Sequence, residues 1–326
     1  MSERIAVVED VWGAAFDELE TRRDVLVDPE AWADPARLSE IAAASAVLVV
    51  RNRTQVTREL LERSPGLRLI ARAGVGLDNI DLEAADELGV VVVAGLGANA
   101  ASVAEHALGL ALATARRTLP LDAEVREGGW NRAPGRELAG GTWGLLSAGA
   151  TARATARLAR GIGMEVVAFD PYVDPADPGL AELGIRLVEF EAVAALADVL
   201  SVHLPATPAT RNIVDTGFLA HMKPHAILIN CGRGEVIDES ALADALAAGR
   251  ILGAGLDVRQ QEPTPAPDPL ARYDNVVLTP HIAGITEQAQ ARIMRILCRD
   301  IDAVLDGRPT EAHVGRRSAP ERGAEG

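Results

Sequence analysis

Short apolar runs rich in β-branched residues alternate with helix-length segments along the first hundred residues. The runs are Ile5 to Val8, Val47 to Val50, Leu67 to Ala71 and Val90 to Val93. Continuous apolar strands separated by helices are typical of βαβ units, in which helices cover both faces of a parallel sheet. The pattern therefore predicts a doubly wound parallel sheet in this part of the chain.

A second series of apolar runs follows and predicts a second sheet of the same kind. Its members are Gly144 to Ala148, Val166 to Phe169, Val199 to Val202, Ala226 to Asn230, Leu252 to Leu256 and Val276 to Leu278. A strongly helical segment, Ala98 to Arg117, separates the two series, and a second amphipathic pattern covers about Thr286 to Leu305. The fold class is therefore α/β, with two doubly wound parallel-sheet domains.

The two long helical segments also indicate how the chain divides. The first connects the two series of strands, and the second carries the chain back to the first sheet. We therefore assign residues 1–97 and 287–315 to one domain and residues 98–286 to the other. Residues 316–326 have no periodicity, and from Gly307 onward the pattern predicts little order, ending in a disordered tail.

Composition and charge exclude several classes of partner. The 326 residues contain 32 basic and 47 acidic side chains, so the net charge is -15, which repels both nucleic acid and anionic membranes. The longest apolar run, Ala107 to Ala115, is too short to span a bilayer. The two cysteines and the lack of a signal-peptide pattern predict a cytoplasmic protein.

The turn after the first strand of the second series resembles a dinucleotide-binding loop. Gly149 precedes a predicted helix, and Asp170 follows 21 residues later at the end of the next strand. Such a turn places pyrophosphate on helix amides and ribose on the carboxylate, which also favours NAD over NADP. However, Ser147 and Ala152 occupy the first and third glycine positions, so a purely structural strand-turn-helix remains an alternative.

Three polar residues follow predicted strands of the second sheet, at the edge where doubly wound folds bind ligands. Arg233 has a guanidinium that suits a carboxylate and its neighbouring carbonyl. His281 is a natural proton exchanger near neutral pH, and a nearby Glu262 would raise its pKa and fix its tautomer. Taken singly, each residue also has a structural interpretation. Arg233 could be a surface or helix-dipole arginine, Glu262 a solvated loop acid and His281 a capping histidine.

Five ordered motifs together resemble the D-isomer-specific 2-hydroxyacid dehydrogenase family, in particular its phosphoglycerate dehydrogenase branch. The resemblance covers about residues 45 to 310. The motifs are Arg72 to Asp81, Gly97 to His106, Asn230 to Gly234, Leu256 to Val258 with Glu262-Pro263, and Pro280 to Gly284. It implies a flavodoxin-like substrate domain, a Rossmann domain and hydride transfer between NAD and a small anionic 2-hydroxy or 2-oxo acid.

The resemblance also implies residue roles. In the catalytic group, Arg233 would hold the substrate carboxylate and carbonyl, His281 would be the acid/base, and Glu262 would support it. The implied cofactor-binding residues are Ser147, Gly149, Ala150, Thr151, Asp170, His203, Cys231, Asp257 and Gly284, with Asp257 at the nicotinamide carboxamide. Arg233 is also an implied substrate-binding residue. In addition, the backbone amides of Val75 and Gly76 would bind the carboxylate, and the side chains of Arg51 and Arg72 would bind a phosphate.

Departures from the family pattern cluster around the cofactor. Besides Ser147, they are Ala150-Thr151 in place of Arg-Ile, Gly141 in place of lysine, Gly232 in place of alanine and Arg259 in place of an aromatic residue. Altered or weakened NAD binding is therefore expected. Two alternatives stay open: a catalytically weakened binding or scaffold protein, and a dehydrogenase for a phosphonate or a specialised biosynthetic acid.

Two further expectations concern partners. The family's long helix and its flanking loop, which here contains Trp130-Asn131-Arg132, imply a homodimer. His221 and His225 have a spacing that could hold a metal on a helix, but Pro224 interrupts that helix and no third ligand is near. We therefore expect no metal.

Overall fold

The computed structural model describes residues 3–320, and its two parallel-strand sheets lie in separate units of the chain. The first unit comprises the residues up to Asn99 and those from Ile285 onward, and the second unit is Ala100–Gly284. Two sheets of parallel strands with interleaved helices confirm the predicted α/β fold class.

The helices and strands have the following bounds. In chain order, the strands are β1 (Ile5–Val7), β2 (Val25–Val27), β3 (Val47–Val50), β4 (Leu69–Arg72), β5 (Val91–Ala94), β6 (Thr142–Leu146), β7 (Glu165–Phe169), β8 (Ile185–Leu187), β9 (Val199–Val202), β10 (Ile227–Asn230), β11 (Gly253–Leu256), β12 (Val276–Leu278) and β13 (His313–Val314). The helices are α1 (Ala14–Arg22), α2 (Pro35–Ala43), α3 (Arg58–Glu62), α4 (Leu82–Glu87), α5 (Ala100–Arg116), α6 (Thr118–Arg126), α7 (Ala150–Gly161), α8 (Pro178–Leu183), α9 (Phe190–Leu196), α10 (Thr216–His221), α11 (Glu239–Ala247) and α12 (Glu287–Leu305).

The sheet of the first unit has the flavodoxin-like strand order. Strands β2-β1-β3-β4-β5 are parallel neighbours, and β13 pairs antiparallel with the β5 edge. Every side chain of β3 is buried: Val47 and Val49 join the core beneath α1 and α12, and Leu48 and Val50 join the core beneath α2, α3 and α4. Helices on both faces explain the continuous apolar runs of this unit.

The sheet of the second unit has the Rossmann order, with one strand added. Its order is β8-β7-β6-β9-β10-β11-β12, and all pairs are parallel. The core is again divided by the sheet, because Val199 packs with residues of α5 and α7 whereas Leu200 packs with residues of α9, α10 and α11. In this topology ligands bind at the carboxyl ends of the strands, near the point where the order reverses between β6 and β9.

The structure contains three strands that the hydrophobic pattern did not predict: β2, β8 and β13. Each has three residues or fewer and lies at or next to a sheet edge, where part of its surface stays exposed. A strand that short leaves too few buried positions to create an apolar run. None of the helices within residues 3–320 combines the length and the apolar composition needed to cross a membrane.

The predicted absence of order after Gly307 is wrong for the described part of that segment. The carboxylate of Asp300, 1% exposed on α12, accepts hydrogen bonds from the amides of Ala312 at 2.8 Å and Glu311 at 3.3 Å. These contacts place β13 on the sheet, and the amide of Arg316 then binds Asp86 at 3.0 Å. Acceptors on two distant helices, Asp300 on α12 and Asp86 on α4, thus hold this segment. The remaining tail residues, 321–326, lie outside the described part.

Candidate active site

The turns after three neighbouring strands of the second unit carry the predicted catalytic side chains. Arg233 follows β10, Glu262 follows β11, and His281 follows β12. Because β10, β11 and β12 are adjacent and parallel, their carboxyl ends meet at one edge of the sheet. The topology thus brings these three residues together.

The imidazole of His281 is hydrogen-bonded to the carboxylate of Glu262. The distance between His281 Nδ1 and Glu262 Oε2 is 2.6 Å, and the two side chains are 49% and 37% exposed. This hydrogen bond raises the pKa of His281, against the opposing effects of partial burial and of the Arg233 charge. Since Nδ1 is held by the carboxylate, Nε2 is the nitrogen that can exchange a proton with another molecule.

The pKa of Glu262 is shifted in the opposite direction. Burial opposes ionisation of this carboxyl, but the hydrogen bonds from His281 and from the backbone amide of Arg259 hold its pKa below the usual value. Glu262 is therefore a carboxylate at neutral pH and fixes the Nδ1–H tautomer of its partner.

The Arg233 turn is fixed by Asn230 at the end of β10. Asn230, which is 1% exposed, donates a hydrogen bond from Nδ2 to the carbonyl of Arg233 at 2.9 Å and accepts one from the amide of Gly232 at 3.0 Å. The guanidinium Nη1 of Arg233 also donates to the carbonyl of Gly232 at 2.9 Å. These contacts set the direction in which the guanidinium leaves the sheet edge.

His281 lies in a backbone conformation that L-residues rarely adopt, with φ of 55°. Such a conformation costs on the order of 1–3 kcal/mol and persists only where the surroundings impose it. The buried carboxylate of Asp257 imposes it here, because it accepts hydrogen bonds from the amides of Ile282 at 2.9 Å and Ala283 at 2.7 Å. The amide of His281 donates in turn to the Asp257 carbonyl at 2.7 Å.

Asp257 also has side-chain partners. Thr279 Oγ1 donates to Asp257 Oδ1 at 2.6 Å, and His106 Nε2 lies 3.0 Å from the same hydroxyl. Burial opposes ionisation of Asp257, but hydrogen bonds from His106, Thr279 and the turn amides lower its pKa overall. With 1% of its surface exposed, Asp257 holds the histidine turn in place, and the contact with nicotinamide stays a prediction.

In the nucleotide loop, Ser147 adopts the backbone conformation of the glycine that it replaces, with φ of 109°. Its hydroxyl Oγ accepts a hydrogen bond from the amide of Gly149 at 3.1 Å. Asp170 completes the loop: Oδ2 accepts from the amide of Ala148 at 2.8 Å, and Oδ1 accepts from that of Tyr172 at 3.0 Å. The loop therefore keeps the glycine-type turn despite its serine.

The amino end of α7 fits a pyrophosphate. Side chains cap several other helices of the protein, namely at Asp34, Thr57, Asp81, Asp177, Asp215, Asp238 and Thr286. At α7 the N-cap residue is Gly149, which has no capping side chain, and the first turn begins with Ala150 and Thr151. These amides and the helix dipole favour an anion. Ala152, fully buried, preserves the close helix-strand packing that the third glycine position requires.

His203 and Cys231 follow the neighbouring strands β9 and β10. Trp143 Nε1 donates to Ser201 Oγ at 2.8 Å, and that hydroxyl lies 2.9 Å from His203 Nε2. Burial lowers the pKa of His203 to about 4, so its imidazole is neutral. Burial also raises the pKa of Cys231, which keeps it a thiol and excludes nucleophilic use at neutral pH.

Gly284, the remaining predicted cofactor-binding residue, is the last residue of the second unit.

Arg51 lies on a tightly held loop of the first unit, after β3. The carboxylate of Glu9, 3% exposed, accepts hydrogen bonds from the amides of Arg51 at 2.7 Å, Arg53 at 3.0 Å and Thr54 at 3.0 Å. The Arg51 guanidinium lies 4.6 Å from the centre of the Trp12 ring. Because β1 and β3 are neighbours at the switch point of this sheet, the loop stands where flavodoxin-like folds bind ligands.

The loop after β4 contains the other predicted substrate residues. The guanidinium of Arg72 crosses closely over Gly74: a Cβ there would lie 1.6 Å from Nη1, so any larger residue would displace the guanidinium. Within residues 3–320, the amides of Val75 and Gly76 have no hydrogen-bond acceptor. Two adjacent unpaired amides beside a guanidinium suit a carboxylate.

The second unit also includes the histidines considered as metal ligands. His225 Nε2 lies 2.8 Å from Asp198 Oδ1, at the start of β9, and Lys223 binds the same carboxylate at 3.1 Å. His221 is the last residue of α10. No three potential ligands among His, Cys, Asp and Glu come together anywhere in residues 3–320.

Several residues that hold the loops of the two units in place were not predicted: Glu9 in the first unit, and His106, Asn230, Ser201 and Thr279 in the second. Asn230 and His106 lie within recognised motifs, and Asn230 ends a buried strand, a position that signals a polar role. Glu9 also directly follows an apolar strand. Nothing in the sequence marks Ser201 or Thr279, since Trp143, Asp257 and His106, which contact them, lie far away along the chain.

Comparisons with known proteins agree with the resemblance drawn from the motifs. Residues 108–283 match the family model described as D-isomer specific 2-hydroxyacid dehydrogenase, NAD binding domain. The chain is 40% identical over 294 residues to (S)-sulfolactate dehydrogenase of Chromohalobacter salexigens, which covers 90% of this chain and 95% of that protein.

Two further relatives differ in how much they share with the chain. The chain is 41% identical over 270 residues to D-3-phosphoglycerate dehydrogenase of Archaeoglobus fulgidus, and the match covers 82% of this chain and 51% of that protein. The chain therefore spans about half the length of that relative. The holo form of D-mandelate dehydrogenase from Rhodotorula graminis superposes with a TM-score of 0.87 at 27% identity, covering 98% of this chain and 99% of that one. The resemblance is confirmed: the chain belongs to the D-isomer specific 2-hydroxyacid dehydrogenase family, with NAD as the cofactor of its second unit.

Proposed function

We propose that the protein is an NAD-dependent oxidoreductase that interconverts a small anionic 2-hydroxy acid and its 2-oxo acid. One observation carries this proposal: the 2.6 Å contact between His281 Nδ1 and Glu262, on the sheet edge that also carries Arg233, in an NAD-binding domain. A proton exchanger beside a cation is what the oxidation of a hydroxy acid requires.

In oxidation, His281 Nε2 takes the proton of the substrate hydroxyl while Glu262 stabilises the resulting imidazolium. Arg233 binds the substrate carboxylate and the developing carbonyl, which fixes the orientation of the reacting carbon. NAD, held at the turns of the second unit, would supply the hydride acceptor. In reduction, protonated His281 gives the proton back to the carbonyl oxygen.

The cofactor would lie along the turns at the carboxyl ends of β6, β7, β9 and β10. The α7 amides of Ala150 and Thr151, after Gly149, would bind the pyrophosphate, and the Asp170 carboxylate would accept hydrogen bonds from the ribose. The remaining predicted contacts at this edge come from His203, Cys231, Asp257 and Gly284.

The substrate is proposed to carry a second anionic group. Val75 and Gly76 would bind the carboxylate through their amides, and Arg51 and Arg72 would face a phosphate. A sulfonate is the second candidate, because the sulfolactate dehydrogenase relative matches this chain over 95% of its own length.

The first test is an assay of purified protein with NADH and 2-oxo acids bearing phosphate, sulfonate or no second group. Reduction needs a protonated His281, so activity should be full below the raised pKa of His281 and should fall as pH rises through it. Glu262→Gln should move this fall to lower pH, with about a 10- to 100-fold loss of kcat/KM at pH 8. His281→Ala should abolish turnover at every pH.

Two outcomes contradict that assignment. A protein that binds NADH and reduces no acid of the panel would support the binding or scaffold alternative. A Glu262→Gln variant with an unchanged pH profile would remove Glu262 from the proton-exchanging pair.

Ser147→Gly tests the departure in the nucleotide loop. Glycine adopts the φ of 109° without strain and leaves the Gly149 amide free for the cofactor, so the NADH Kd should fall about 3- to 10-fold. Titration calorimetry measures this, with Ser147→Ala as the control that removes the hydroxyl and keeps the strain. A weaker NADH affinity in Ser147→Gly would instead make the hydroxyl a cofactor ligand.

Arg51→Ala tests the second anionic group. Its loss should raise KM about tenfold for a phosphorylated or sulfonated acid, the equivalent of ~1.4 kcal/mol, and less than twofold for an unsubstituted acid. Arg53→Ala is the matched control, because Arg53 lies on the same loop and its guanidinium stacks 4.8 Å from the Trp32 ring. An equal rise of KM for all acids would exclude this role of Arg51.

We also infer that the protein is cytoplasmic. The two cysteines are free thiols, as expected in a reducing compartment.

We further infer a homodimer. Large apolar side chains are exposed along α5, α6 and the loop that follows, with Leu119 52% and Trp130 79% exposed. Sedimentation velocity of the wild type should give a dimer, and Trp130→Ala should weaken it; a wild-type monomer at micromolar concentration would contradict this inference.

A further inference from the structure

Arg259 stands on the catalytic edge, where the family pattern has an aromatic residue. Its side chain is only 7% exposed and forms a two-pronged contact with Glu239 at the start of α11: Nε to Oε1 at 2.9 Å and Nη2 to Oε2 at 2.8 Å. Its third nitrogen, Nη1, contacts the carboxylate of Asp268. One guanidinium thus joins two carboxylates that are themselves mostly buried.

Such a group is costly to bury unless every charge has a partner. Burial opposes the charge of Arg259, but the hydrogen bonds to Glu239 and Asp268 raise its pKa, so the guanidinium is charged at any physiological pH. The same contact lowers the pKa of Asp268 despite burial. An aromatic side chain at this position would need no such partners, whereas Arg259 links its own segment to Glu239 and Asp268.

The backbone of Arg259 contacts the catalytic pair directly. Its amide donates a hydrogen bond to Glu262 Oε1 at 2.9 Å, and Oε2 of the same carboxylate binds His281 Nδ1 at 2.6 Å. The amide of Gln260 donates to Glu239 Oε1 at 2.8 Å, and Gln260 Nε2 donates to the carbonyl of Ile237 at 2.7 Å. The segment before Glu262 is therefore tied to the start of α11 by both main chain and side chains.

The same segment also packs against the turn that carries Arg233. A Cβ on Gly234 would lie 1.9 Å from the carbonyl carbon and oxygen of Arg259 and 2.5 Å from the amide nitrogen of Gln260. Only glycine allows this approach. Arg259 thus contacts two catalytic elements: its carbonyl group lies against Gly234, the neighbour of Arg233, and its amide holds Glu262 through a hydrogen bond.

We infer that Arg259 is a positioning residue for the acid/base pair: its forked contact with Glu239 and Asp268 fixes residues 259–262, so that Glu262 faces His281 while the Arg233 turn is held against the same peptide. The expected loss of kcat rests on the proposed function. The expected change at His281 rests only on the hydrogen bonds and ion pairs described above. Since the fork needs a planar guanidinium, a lysine cannot replace it.

Arg259→Lys and Glu239→Gln test this role through the protonation of His281 itself. Charged groups near the imidazole are Glu262, Arg233 and Asp257, and none of them is changed by these variants. Histidine NMR titration, with His281→Ala to assign the signal, should show the pKa of His281 falling toward its ordinary value in both variants. In the dehydrogenase assay kcat should fall about tenfold, with the kinetic profile displaced to lower pH and the NADH Kd changed less than twofold.

Asp198→Asn is the matched control, since Asp198 binds Lys223 and His225 at the amino ends of the same sheet, away from the catalytic edge. It should lower thermal stability and leave both the His281 pKa and kcat unchanged. If Arg259→Lys and Glu239→Gln behave like this control, the network only stabilises the fold and the inference is overturned. Should the wild type reduce no acid, the proposed function fails, and the NMR titration still decides the positioning role.

Discussion

The carboxylate of Asp257 accepts hydrogen bonds from two consecutive backbone amides and one hydroxyl at the end of β11, in a position from which water is excluded. The geometry of the catalytic edge depends on this interaction. It holds the turn after β12 in a shape that places His281 at φ 55°, a conformation that an unsupported chain would leave. Removal of the carboxylate would leave buried amides without acceptors, a cost of about 1–3 kcal/mol for each.

The same principle recurs at both sheets. At each carboxyl edge, a buried polar side chain at or just after one strand holds a neighbouring loop by hydrogen bonds. Glu9 after β1 binds the loop after β3, Asp257 after β11 binds the turn after β12, and Asn230 in β10 binds the turn after its own strand. The side chains proposed to meet the substrate are then carried by loops whose backbone is already fixed. Such preorganisation lets a guanidinium or an imidazole act without the cost of ordering its own loop.

Much of this arrangement could be predicted from the sequence. In a doubly wound sheet the apolar runs identify the strands, and the residues that follow those strands lie at the carboxyl edge where ligands bind. Placing Arg233, Glu262 and His281 after three consecutive strands was therefore enough to bring them together. The sequence also placed Ser147 at the first glycine position of the nucleotide loop, and its φ of 109° is the backbone conformation of that glycine. Arg259 was recognised as a departure, but it was attributed to altered cofactor binding, because its partner Glu239 lies on another element. The order after Gly307 could not be predicted for a similar reason, because Asp300, which binds the amides of this segment, lies on helix α12.

His281 is proposed to exchange the proton that accompanies hydride transfer, and deuteride transfer reports whether the reaction depends on this residue. Wild type and His281→Ala would be incubated with NADH deuterated at C4 and a panel of anionic 2-oxo acids, and the products analysed by mass spectrometry. We expect deuterium at C2 of at least one hydroxy acid with the wild type, and none with His281→Ala, although that variant still binds NADH. Deuteride transfer by His281→Ala at the wild-type rate would show that His281 is not the acid/base, and a wild type that binds NADH but transfers no deuteride would not be a dehydrogenase of these acids.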